Sequence, residues 1–142
     1  MKTSNFKLLT TLTALVLLIV TFSSCSDDDE PIANITVNEG PSGDIGGDFT
    51  GNGGNASRII SWTNNLTTAD YNADITTNAS GTFNIVVADS EGTIVLNKTL
   101  NGTTEPDSID GVTQAGEPGN WTVTITVTSF NGDGSYSLSE GN

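Results

Sequence analysis

Between Trp121 and Thr128 the chain alternates without a break: Trp121, Val123, Ile125 and Val127 against Thr122, Thr124, Thr126 and Thr128. Successive side chains of a strand point to opposite faces, so this stretch predicts one buried face and one solvated face. Shorter versions of the pattern precede it. Ile59, Ile60 and Trp62 mark a strand over residues 57–63, and Tyr71, Ala73 and Ile75 alternate with Asn72, Asp74 and Thr76. Phe83, Ile85 and Val87 alternate within 81–88, and Ile94, Leu96 and Leu100 lie within 93–100. The Asp-Ser-Glu-Gly run at 89–92 makes a hairpin of that pair, with glycine able to take a positive φ. A short strand is expected over 108–113, and Pro118-Gly119 turns the chain into the long strand. The Asn-Gly-Asp-Gly run at 131–134 reads as a turn that returns the chain through 135–139. Phe130 falls out of phase with Trp121 to Val127, which predicts a bulge or a twist at that strand's end. No helix is signalled beyond a single turn near 66–70. Short strands joined by Gly, Asn and Asp turns predict an all-β domain over 57–140. Its expected architecture is an antiparallel β-sandwich, jelly-roll-like or immunoglobulin-like.

The pattern dissolves toward the N-terminus. Ile32, Ile35 and Val37 suggest one edge strand over 32–38, while residues 40–55 are rich in Gly and Asn without apolar periodicity. That composition reads as a flexible loop, making 25–56 an acidic and Gly/Asn-rich tether. Earlier still, Lys2 and Lys7 precede an apolar run over 8–22, followed by Ser23, Ser24 and Cys25. The run is short for a membrane span, which needs about twenty residues, and has the proportions of a signal peptide over 1–24.

Cleavage there changes the charge balance. All 17 acids lie beyond Cys25, with only Arg58 and Lys98 against them. Such a surface excludes nucleic acid as a partner, since phosphate binding depends on Lys and Arg. Histidine is absent and cysteine occurs once, which excludes Ser-His-Asp, Cys-His and His-ligated metal chemistry. It also excludes a disulfide within the chain.

The small residues directly before Cys25 resemble the signal of bacterial lipoproteins, although Phe22 stands where leucine is usual. The resemblance implies cleavage before Cys25, lipid attachment to it, and an outer membrane anchor. Ser26, Asp27, Asp28, Asp29 and Glu30 follow at once. A run of like charge keeps a tether extended, and this one also resembles the acidic export signal that carries some lipoproteins to the cell surface. Further on, the Phe83 strand, the 89–92 turn, Gly119-Asn120-Trp121 and the 132–138 run Gly-Asp-Gly-Ser-Tyr-Ser-Leu resemble bacterial pre-peptidase C-terminal domains. That likeness spans roughly 62–139 and implies a noncatalytic β-sandwich with an adhesion, targeting or stability role, though no protease domain is present for it to accompany.

Carboxylates are the one plentiful ionisable group. Asp70 with Asp74, or Asp107 with Asp110, could pair for hydrolysis, but nothing in the sequence marks a cleft between them, and no catalytic residue is assigned. Calcium takes six to eight oxygens from carboxylates and loop carbonyls. Asp89, Glu91 and Asp133, in Gly-containing loops, are the candidate ligands; the competing role of such residues is to satisfy turn backbones. No other cofactor is implied. Trp121, Phe83 and Tyr136 belong to the core by phase, which leaves Trp62 as the aromatic expected to be exposed and able to stack on sugar. Asp107-Ser108-Ile109 resembles an O-glycosylation motif of exported bacterial proteins, with Ser108 as acceptor. The sequence therefore points to a noncatalytic, lipid-anchored, surface-exposed protein acting in binding or structural interaction. A carbohydrate-binding accessory module and a calcium-dependent adhesion or stability module are the alternatives.

Overall fold

The computed structural model describes residues 30–40 and 43–141. Cys25, expected to carry the lipid, lies outside the described residues, as do Ser26, Asp27, Asp28 and Asp29 of the acidic run; Glu30 is the first residue described and is exposed. Eight strands follow: β1 (Ala33–Ile35), β2 (Asn38–Glu39), β3 (Ile45–Asn64), β4 (Ala69–Ile75), β5 (Ser80–Ala88), β6 (Ile94–Asn101), β7 (Ser108–Val112) and β8 (Gly119–Glu140). Every pairing is antiparallel.

Two long strands organise the sandwich. β3 has 20 residues and β8 has 22, and they pair from Asn64↔Gly119 to Ile45↔Leu138. The first half of β8 carries β5 and then β6 on its other side, while its second half carries β4 and then β7. β1 and β2 extend the layer of β4 and β7, along the first half of β3. The long strands thus belong to both layers and must bend between them. The bend falls at the irregular register around Asn52, Gly54 and Ala56, with Gly53 at φ 107° and Ser129 at φ 46°. Asn55 Oδ1 accepts the Ser129 N–H at 2.7 Å, so the bulge expected at Phe130 is held from across the ladder.

Three expectations are corrected. Residues 45–55 are not a tether but the first half of β3, so the sandwich includes β1 and β2 and begins well before residue 57. Residues 131–134 do not turn the chain; β8 runs straight through them. Residues 65–68 form a bend rather than a helical turn, because the Asn64 side chain accepts the Leu66 N–H and donates to Thr68 C=O.

The first two corrections share a cause. On the inward face of β3, Phe49 stands opposite Gly134, and Gly47 opposite Tyr136. A Cβ on Gly134 would collide with the Phe49 ring. Gly134 makes room for the Phe49 ring, whereas Gly47 lies against the Thr36 carbonyl, where a Cβ would also collide. The apolar period is absent from the segment's own sequence for that reason. The core is otherwise the predicted alternation: Trp121, Val123, Ile125, Val127, Phe83, Ile85 and Val87 are fully buried. Full burial of such side chains is worth roughly 1.5–3 kcal/mol each.

Candidate functional site

A concave surface lies where β1, β3 and β8 meet the turn after β4. It is a groove of about 400 Å³. The register builds it row by row: Asn34, Thr50 and Asp133 stand abreast on three neighbouring strands, and Asn52 stands beside Asn131 in the next outward row. Asn78 closes one side from the turn between β4 and β5. That turn is fastened to β8 by Thr76 N–H, which donates to Asp133 C=O at 2.9 Å, and is closed on itself by Ala79 N–H, which donates to Thr76 C=O at 2.8 Å. Asn52 is oriented from behind, its Oδ1 accepting the Ile32 N–H at 2.6 Å. The lining therefore offers four amides, a hydroxyl and one carboxylate, held on paired strands. Amides donate and accept at once, which suits a ligand rich in hydroxyl groups. With one carboxylate in the lining, the groove has no opposed acid and base for hydrolysis.

The predicted site residues fall elsewhere. Trp62 is 3% exposed and is corrected to a core residue. It meets its register partner Trp121 edge to face, with centroids 6.1 Å apart, and its Nε1 donates to Gly43 C=O at 2.8 Å. A smaller cavity of about 230 Å³ opens beside it, between Val37, Ile45 and Ile60, but the ring has no free face for a sugar. All other aromatics among the described residues are buried as well, so an aromatic platform is not part of this surface.

The three proposed calcium ligands are not brought together. Asp89 is buried in the β5–β6 turn, where its Oδ1 accepts the Glu91 and Thr93 N–H groups at 3.0 and 2.8 Å. Its Oδ2 accepts the Glu117 N–H at 3.0 Å, tying that turn to the segment leading into β8. The Glu117 bond foremost, with those of Thr93, Glu91 and Gly92, holds the Asp89 carboxyl below the usual range, against desolvation that raises it. Its oxygens serve the backbone. Glu91 is exposed on the same turn, whereas Asp133 lies beyond the bend of β8. Among the described residues no group of three acidic or sulfur-bearing side chains is gathered for a metal.

Ser108 is exposed at the start of the edge strand β7, paired with Asp74. Asp70 and Asp74 stand on the solvated side of β4, and the Asp74 carboxylate accepts both the N–H and the O–H of Ser135. Of the groove residues, only Asp133 was singled out by sequence reasoning. Asn34, Asn52, Asn78 and Asn131 look like ordinary turn and loop asparagines until the strands are paired.

No known family and no curated protein matches the chain. Among solved structures it is similar to a CBM4 structure, with 13% identity and a TM-score of 0.35, over 79% of this chain and 92% of that one. It is similar to TmCBM61 in complex with β-1,4-galactotriose, with 12% identity and a TM-score of 0.39, over 79% and 89%. A family 11 carbohydrate-binding module from Clostridium thermocellum, bound to a β-1,3-1,4-mixed-linked tetrasaccharide, matches with 8% identity and a TM-score of 0.36, over 78% and 81%. Likenesses this distant carry no argument about ligand or site.

Proposed function

We propose that this protein is a noncatalytic, lipid-anchored component of the outer membrane, displayed at the cell surface, whose sandwich binds a hydroxyl-rich ligand of the glycan class. The groove between β1, β3 and β8 carries the reading, because it is the place where several amides and a carboxylate converge on rigid strands. Recognition there rests on hydrogen bonds rather than on aromatic stacking. Cys25 supplies the anchor, the acidic run over 26–30 the export signal, and Ser108 a glycan acceptor on an exposed edge.

A glycan array probed with the mature chain carrying Cys25→Ser, followed by calorimetry on the best ligand, tests the binding. Asn34→Ala and Asn131→Ala are each expected to weaken binding by roughly tenfold, as the loss of about 1–1.5 kcal/mol of hydrogen bonding implies. Parental affinity in both variants would remove the groove from the reading. Protease shaving of intact cells tests the display: release of peptides from 30–141 supports it, and protection until the outer membrane is breached sinks it.

A further inference from the structure

The two cations of the described residues stand at opposite ends of one row. Arg58 pairs with Ile125, Ile125 with Ile85, and Ile85 with Lys98, so the row crosses the layer β3–β8–β5–β6 from edge to edge. Its two middle residues are fully buried, and its two ends are exposed. Among the described residues both ends lie on strands with a free side: along 56–64, β3 pairs there with β8 alone, and β6 with β5 alone, with Val95 C=O taken by Gln114 N–H near its start.

A long free strand is a template for pairing with another chain. The edges of the opposite layer are short: β7 has five residues, β1 three and β2 two. β6 has eight, and its outer end exposes Ile94; the free part of β3 exposes Ile59 at 75%. These long edges, with no carboxylate along either, lack the acidic repulsion that covers the rest of the molecule.

The geometry points to Arg58 and Lys98 as a pair of edge guards that stop this layer from adding a strand of a second copy. A copy that continued the inward row could join β3 to β3, β6 to β6, or β3 to β6. Each arrangement would set cation against cation at the junction, and like charges brought together at an interface are strongly unfavourable. Arg58 is held for the task, its Nε donating to Ile35 C=O at 3.3 Å across the open side of the sandwich. The inference does not depend on the groove or on its ligand.

The test is light scattering on the Cys25→Ser mature chain over a range of concentrations, comparing parent, R58Q/K98Q and the charge-preserving R58K/K98R. Glutamine keeps a donor for Ile35 C=O while removing the charge. R58Q/K98Q is expected to self-associate at concentrations at least about tenfold below the parent's, with an unchanged thermal midpoint, while R58K/K98R follows the parent. If R58Q/K98Q loses stability, K98Q alone, altered at an exposed edge position, decides by the same measurement. A neutral variant that scatters like the parent overturns the inference, as does a charge-preserving variant that associates as readily as the neutral one.

Discussion

Phe49 and Phe83 stack across the sandwich, with ring centroids 4.5 Å apart and planes 11° from parallel. One ring comes from the first half of β3 and the other from β5, so the contact joins the two layers. Phe130 closes on Phe49 edge to face, at 5.2 Å and 64°, from the bend of β8. The three rings fill the corner at which both long strands change layer, and the fold turns around them.

Phe49→Ala should therefore cost about 3–5 kcal/mol, the usual range for truncating a buried ring. Gly134→Ala should cost about 1–3 kcal/mol, because the new methyl meets the Phe49 ring and lies 2.5 Å from Asp74 C=O. Urea unfolding of the two variants checks both values. A Gly134→Ala protein as stable as the parent would mean that the ring does not occupy the glycine's space.

Asp89 makes stability depend on acid. Its folded carboxyl titrates below the usual aspartate range, so the contribution is present above the unfolded pKa and is lost as pH falls through the folded one. Asp89→Asn should lower the melting temperature at neutral pH, and the gap from the parent should shrink as both are acidified below about pH 4. Calorimetry across that range is the measurement; a gap independent of pH would refute the linkage.

Tyr136 gives the opposite sign at the alkaline end. Burial, foremost, pushes its hydroxyl above 10.0, with Arg58 pulling it down and Asp48 adding to the rise. Its contribution is complete below the unfolded pKa and is lost as pH rises through the folded one. Tyr136→Phe removes the 2.8 Å bond to Thr36 C=O and should cost about 1 kcal/mol at neutral pH. The variant should also lose part of the parent's destabilisation above about pH 10, as denaturation at graded pH will report.

Trp62 and Trp121 are 3% and 0% exposed, so the emission of the folded protein should be blue-shifted and barely quenched by iodide. Addition of a glycan ligand should leave that quenching unchanged, because the groove lies away from both rings. Strong quenching in the folded state would restore Trp62 as a surface residue.

Much of this fold is written locally. The Thr/Val alternation of β8, the β5–β6 hairpin and the bulge at Phe130 follow from side-chain parity and turn chemistry, which act over a few residues. The signal-like leader and the acid excess are equally legible, because they are matters of order and count. Tertiary structure alone decided that 45–55 is a strand, since Gly47 and Gly134 contribute no apolar period and the space beside them is taken by the Thr36 backbone and the Phe49 ring. It alone placed Trp62 inside, because Ile59, Ile60 and Trp62 leave the parity ambiguous until Trp121 is set opposite. The groove belongs to the same class: Asn34, Thr50 and Asp133 are far apart in the chain, and only the pairing of β1, β3 and β8 sets them abreast.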